Sequence, residues 1–321
     1  MELKAYDHVL TARMPEPISD RIIVVEVTWD DVQAQNPNET KTLTRDVTDA
    51  VLINAINQLR EYGVQIIGFD WYLQPAMEIW TEPTLAAFQS PNPSDPNSDL
   101  PTQASPALPS AAIYGFCNQP YTSEGERQAP EPPPAAEVIP PERIGFSNFA
   151  VDADEVMRRH LVGNGLPASE KLTSTCQAEV AFSTLIALHY LDLKPATTEP
   201  ALQSNEANRT TVPAAQNQKI ALTDLPAIFT PTPIERIDAY MYGGYSDLHP
   251  GAFELMLNYR EPADDNLRAA FTHVSIKDLQ PDAVQPSTFA EQFKDKIVLM
   301  DSLRSTTPVM NLLLPTALFL A

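Results

Sequence analysis

The 321-residue sequence is poor in the residues on which metal and nucleophilic chemistry depends. It has two cysteines, Cys117 and Cys176, and five histidines, His8, His160, His189, His249 and His273. The histidines form neither HxH nor HExxH, and the cysteine spacing fits no metal-knuckle pattern, so nothing points to a zinc site. No GxxxxGK[ST] and no GxGxxG occurs, which removes both common phosphate loops. There is no GxSxG and no cysteine with an identifiable histidine partner, so no nucleophile stands out. A metal-assisted hydrolase using Asp30, Asp70 and Asp154 is the least favoured reading, and no cofactor is called for. Basic residues are also few: 21 Lys and Arg stand against 42 Asp and Glu, for a formal net charge of −21. Phosphate binding needs clustered Lys and Arg, so nucleic acid is set aside as a partner and anionic lipid is repelled.

Long apolar runs are scarce too. The start, MELKAYDHVL, lacks the basic and apolar regions of a signal peptide. The end, MNLLLPTALFLA, is apolar but shorter than the roughly 20 residues that cross a bilayer. It reads as a core element or as the first turns of a membrane helix. Cys117 and Cys176 leave two readings open: one disulfide, as an oxidising compartment allows, or two buried thiols.

What is present reads as alternating strands and helices. RIIVVEVTW is a β-branched run of strand length, followed by Asp30 and Asp31. RDVTDAVLINAINQLREYG places Val47, Val51, Ala55 and Leu59 at helical spacing, with Gly63 where a left-handed cap belongs. VQIIGFDWYL is a second strand, with Asp70 near its end. Strand, helix, strand predicts parallel strands whose carboxyl ends share one edge, where ligands of open α/β sheets bind. Asp30, Asp31 and Asp70 are expected to gather there, beside the aromatics Trp71 and Tyr72. Carboxylates so placed suit a cation or the amino and hydroxyl groups of a small ligand; the plainer alternative is that they cap helices and face water.

AAIYGFCN reads as a core strand between polar, Pro-rich insertions at about 74–109 and 119–141, with a third at 195–219. RIGFSNFAVDADEVMRRHLV reads as a β-hairpin, in which Asp152, Asp154 and Glu155 form the turn and Arg158 and Arg159 lie on the returning strand. Period-2 alternation sets Arg159 between Met157 and Leu161. A guanidinium so placed needs a carboxylate if buried. The expected partner is Asp70, and Arg158 is expected in a turn or ion pair with Asp152 and Asp154. LTSTCQAEVAFSTLIALHYL reads as a buried helix. IDAYMYGG, FELMLNYR, FTHVSIKDL and KDKIVLMDSLR supply further strands or strand–helix pieces. The fold class expected is α/β: one domain with a central mixed sheet flanked by helices and interrupted by Pro-rich loops.

These segments, in this order, resemble the CHASE2 domain family of extracytoplasmic sensor modules, found in bacterial and especially cyanobacterial membrane receptors. LKAYDHVLTARMPEPISDRIIVVEVTWDD resembles the family's opening, with a tyrosine–aspartate pair and an arginine before the first strand. LREYGVQIIGFDWYLQP resembles its second strand, ending in Phe-Asp. RIGFSNFAVDADEVMRRHLV resembles its Gly-Phe hairpin with paired arginines, and ELMLNYR, FTHVSIKDL and FKDKIVLMD its closing segments. The likeness runs to about Asp301 within a single unit, 1–321. Glu155 replaces the family's usual turn glycine, and the tail 302–321 is atypical.

The resemblance implies a non-catalytic, ligand-binding sensor on the outer face of the membrane. Membrane helices and a cytoplasmic output domain would lie outside this chain, which would then be a fragment of a receptor or a stand-alone version. The signal would be an unknown small molecule recognised around Asp30, Asp31, Asp70, Trp71, Tyr72 and Arg159, and a homodimer is compatible with this. The alternative is an interaction or scaffold domain, without a small-molecule ligand, whose Pro-rich loops contact a partner.

Overall fold

The computed structural model describes residues 2–35, 47–70, 87–88, 111–119, 138–149, 152, 154, 156–164, 174–193, 252–257, 259 and 270–303. Trp71, Tyr72, Glu155, IDAYMYGG, most of the Pro-rich insertions and all but the first two residues of the tail lie outside them.

A six-stranded sheet carries the fold, in the order β4-β3-β2-β8-β1-β7. The strands are β1 (Ile22–Thr28), β2 (Ile66–Asp70), β3 (Ala112–Cys117), β4 (Ile144–Phe146), β7 (Thr272–Ser275) and β8 (Ile297–Leu303), and every pairing among them is parallel. Parallel strands covered on both faces read as unbroken apolar runs, and IIVVEVT and IVLM are such runs. β1 and β2 are parallel as expected, with β8 inserted between them. The antiparallel component stands apart: β5 (Arg159–Asn164) pairs with β6 (Ala252–Met256) in a two-stranded sheet.

Among the described residues, four helices flank this frame. α1 (Glu2–Thr11) precedes β1, and α2 (Trp29–Gln35) follows it directly. α3 (Asp49–Glu61) buries Leu52, Ala55, Ile56 and Leu59 against Ile23, Val25, Ile67 and Val298 on one sheet face. The opposite face, with Ile22, Val24, Ile66, Tyr114 and Leu299, packs on α4 (Phe182–Leu193) through Phe182, Leu185, Ile186 and Tyr190. α3 ends where Gly63 takes φ +77°, and Gly63 N–H and Val64 N–H donate to the carbonyls of Arg60 and Leu59. This is the Schellman arrangement that the glycine foretold.

Two expectations fail. The Gly-Phe hairpin does not form: β4 joins β3 in the large sheet, whereas β5 finds its partner some 90 residues later in β6. The predicted helix over LTSTCQAEVAFSTLIALHYL begins only at Phe182, because Val180 and Ala181 are held in extended bridges to Gly163 and Phe146. Gly145 explains the close approach there. A Cβ at this position would lie 2.4 Å from the backbone N and Cα of Phe182, so only glycine lets β4 touch the start of α4. Just before α4, Cys176 is joined to Cys117 at the end of β3 by a disulfide, with a Cα–Cα distance of 5.5 Å. That decides the question the sequence left open.

Candidate functional site

Two clusters of charge converge on named side chains. The first lies at the carboxyl edge of the sheet. Asp30 is exposed in the first turn of α2. Asp31 is buried and engaged: its carboxylate accepts hydrogen bonds from Thr28 N–H at 2.8 Å and Thr28 Oγ1 at 2.6 Å, and from Ser275 Oγ at 3.3 Å. Asp31 N–H faces Thr28 Oγ1 in return. Thr28 and Asp31 therefore form a reciprocal cap on α2, in keeping with the capping alternative for this residue. Asp70, half-buried at the end of β2, is in register with Asp301 of β8, which is in register with Glu26 of β1. In-register residues of parallel strands share a face, so three carboxylates form one row above the α4 side of the sheet. Burial pushes the Asp70 carboxyl up to about 8, and the charge of Asp301 adds to the rise. Asp70 is thus largely protonated at neutral pH and can donate a hydrogen bond. Glu26 is met by His273 Nδ1 at 2.6 Å. Glu26 and Asp301 were not foreseen. The signal was an acid at an inward position of an apolar strand, as in VVEV and IVLMD.

The second cluster is built on Arg158 and Arg159, each 2% exposed. Arg158 reaches three carboxylates. Its Nε and Nη2 donate to Asp7 at 2.6 and 2.8 Å, and its Nη1 to Asp152 at 2.9 Å. Its Nη1 and Nη2 also donate to the two oxygens of Asp154, both at 2.7 Å. Arg159 donates from Nε to Asp152 at 2.9 Å and from Nη1 to Glu254 of β6 at 2.7 Å. A buried guanidinium costs several kcal/mol unless paired and hydrogen-bonded, and here both are. The expected partnership of Arg159 with Asp70 is therefore corrected. β5 pairs with β6 rather than with an edge of the large sheet, so Arg159 meets Glu254 across the strand pair and Asp152 beside it. Arg158, Asp152 and Asp154 do form ion pairs.

Asp7 was not singled out, yet it ties α1 to this cluster. Its neighbour Tyr6 donates to the carbonyl of Leu257, just beyond β6. Arg13 donates to the carbonyl of Tyr259 at 2.9 Å, and Tyr259 donates to the carbonyl of Met157. The hydrogen bonds of Arg158 hold the carboxyls of Asp7 and Asp154 below the usual carboxylate range, that of Asp154 at about 2. The guanidinium of Arg158 is raised in turn by the same bonds.

A buried histidine completes the neighbourhood. His160 Nε2 lies 3.0 Å from Ser183 Oγ and 3.3 Å from Thr184 Oγ1, and burial lowers its pKa to about 3, so the ring is neutral. All three residues are buried, and the contact joins β5 to the start of α4.

A family model describing the CHASE2 domain matches residues 1–307. The chain belongs to the CHASE2 domain family. CHASE2 domains are extracytoplasmic sensory modules, generally without catalysis. No curated protein and no solved structure matches the chain. Among the described residues, no helix of this CHASE2 domain is long and apolar enough to cross a membrane, and no group of three or more His, Cys, Asp or Glu side chains is arranged to hold a metal ion.

Proposed function

We propose that this CHASE2 domain is the extracytoplasmic, non-catalytic sensing part of a transmembrane receptor, and that α1 carries its response towards the membrane. The observation that carries this reading is the tether between Asp7 and Arg158. It joins an N-terminal helix to the paired strands β5 and β6 through a bidentate charged contact, while Arg158 is also held by Asp152 and Asp154. A ligand that favours one arrangement of that cluster shifts the position of α1 by its difference in affinity for the two states. The disulfide between Cys117 and Cys176 supports an oxidising location outside the cytoplasm.

In this reading the signal is a small molecule with amino or hydroxyl groups. It is met at the carboxyl edge, where Asp70, Asp301 and Glu26 stand in a row. Arg159 holds the frame and does not contact the ligand, because its guanidinium is occupied by Asp152 and Glu254. The test is a membrane-anchored chimera that carries this domain ahead of a nucleotide-cyclase output. Asp7→Asn is expected to change the basal output, the variant being expressed and folded. An Asp7→Asn output equal to that of the wild type would overturn the proposal.

A further inference from the structure

The row of acids at the carboxyl edge runs on to a histidine. In-register positions on neighbouring strands are Asp70, Asp301, Glu26 and Ser275, so the row crosses β2, β8, β1 and β7. His273 stands two residues before Ser275 on β7 and therefore on the same face. Its Nδ1 lies 2.6 Å from Glu26 Oε1, and both side chains are partly buried, at 23% and 13% exposure.

Neighbouring strands are about 4.8 Å apart, so Asp70, Asp301 and Glu26 are acids held one strand from the next. Groups so placed titrate together, because each anion disfavours its neighbour's. Asp70, at one end, is pushed up to about 8 by burial and by the charge of Asp301. At the other end a histidine meets Glu26. Imidazole gains and loses its proton near neutral pH, and a carboxylate at hydrogen-bond distance favours the charged ring. With both end protons in place, an imidazolium and a neutral Asp70 flank two carboxylates. With both released, three carboxylates stand in line without that cation. The elements packed on β7 are β1 and the 3-10 turn Ile276–Leu279. β1 presents Glu26 on this face, and the turn carries Lys277, exposed, and Asp278, of opposite sign. Asp31 of α2 is engaged by Ser275 and Thr28, and the β6 residues in the core of this face, Phe253 and Leu255, are apolar.

We infer that His273, Glu26, Asp301 and Asp70 form a proton-binding row, and that the acidity of the surrounding medium sets the charge a ligand meets at the carboxyl edge. β7 is the part of the row that gives way as charge builds up. It is four residues long, it ends the large sheet, and Ser275 links it to the cap of α2. The inference rests on the sensing reading only for the choice of edge; the row takes up protons whether or not α1 carries a response.

The experiment uses the full 321-residue chain, with protons as the only ligand. The ring signals of His273, assigned by their loss in His273→Gln, are followed by NMR from pH 5 to pH 9. Their titration midpoint is expected to fall by about one pH unit or more in Glu26→Gln. Asp301→Asn, one strand further away, is expected to lower it by less and serves if Glu26→Gln does not fold. Thermal unfolding supplies a second reading. A folded state that holds protons more tightly than the unfolded chain loses stability as pH rises. Between pH 6.5 and 8.5 the melting temperature of the wild type is therefore expected to fall by about 3–6 °C more than that of the double variant His273→Gln/Asp70→Asn. A His273 midpoint that is the same in the wild type and in these acid variants would overturn the inference, and so would equal falls in melting temperature. Loss of the tether between Asp7 and Arg158 alters neither reading, so the two proposals fail separately.

Discussion

At the scale of single residues, Asp70 and Arg159 meet burial in opposite ways. Asp70 is pushed up to about 8 because burial and the charge of Asp301 disfavour its anion. Between about pH 4 and pH 8 the folded chain keeps a proton at Asp70 that the unfolded chain releases, so this residue lowers stability as pH rises through that window. Asp70→Asn is therefore expected to raise stability at pH 8 by about 1–3 kcal/mol and to change it little at pH 4. Urea unfolding at both values measures this, and equal effects at the two pH values would contradict it. Arg159 behaves differently, since its charge is fully compensated. Arg159→Met leaves Asp152 and Glu254 facing each other in a buried place and is expected to cost about 3–5 kcal/mol. An equilibrium unfolding measurement showing less than 1 kcal/mol, itself about the worth of an exposed pair, would mean that the arginine is not held as described.

At the scale of elements, Gly145 and the disulfide both fix the start of α4. Gly145→Ala would drive a methyl group into the backbone of Phe182, and overpacking of this kind costs about 1–3 kcal/mol. Gly68→Ala meets only side-chain ends of Ile186, Leu299 and Phe182, so it should cost less; thermal melts of the two variants rank them, and the reverse order would refute the explanation. Removing the bridge by replacing Cys117 and Cys176 together with serine frees a span of 59 residues. The expected loss is about 2–4 kcal/mol, read by chemical denaturation.

The same elements show what a sequence reader can and cannot see. β1, β2, β3 and β8 were legible because doubly covered parallel strands must be apolar along their whole length, and α3 because its buried stripe repeats at helical spacing and stops at Gly63. The start of α4 was illegible because a helix apolar on most sides carries no boundary in its pattern. The hairpin was misplaced for a related reason. Two extended runs separated by a polar turn look like neighbours, but the pairing is decided by tertiary packing, and β5 belongs with β6 almost a hundred positions away.

At the scale of the whole molecule, the candidate sites were legible only where the residues sit together in the chain. Arg158, Arg159, Asp152 and Asp154 fall within eight positions and announced an ion-pair cluster, yet their outer partners Asp7 and Glu254 come from both ends of the sequence. The tether also has a definite pH range. Arg158 holds the carboxyl of Asp7 below its ordinary value, so the contact is complete above about pH 4 and is lost only as pH falls below that range.

The central claim is that Asp7 fastens α1 to the strands through Arg158. Amide hydrogen exchange across residues 2–11, compared between the wild type and Asp7→Asn at neutral pH, tests it directly, because exchange reports local opening. The expected result is roughly tenfold faster exchange in α1 of the variant, with the amides of β1 and β8 unchanged. Exchange in α1 that is the same in both proteins would contradict the tether.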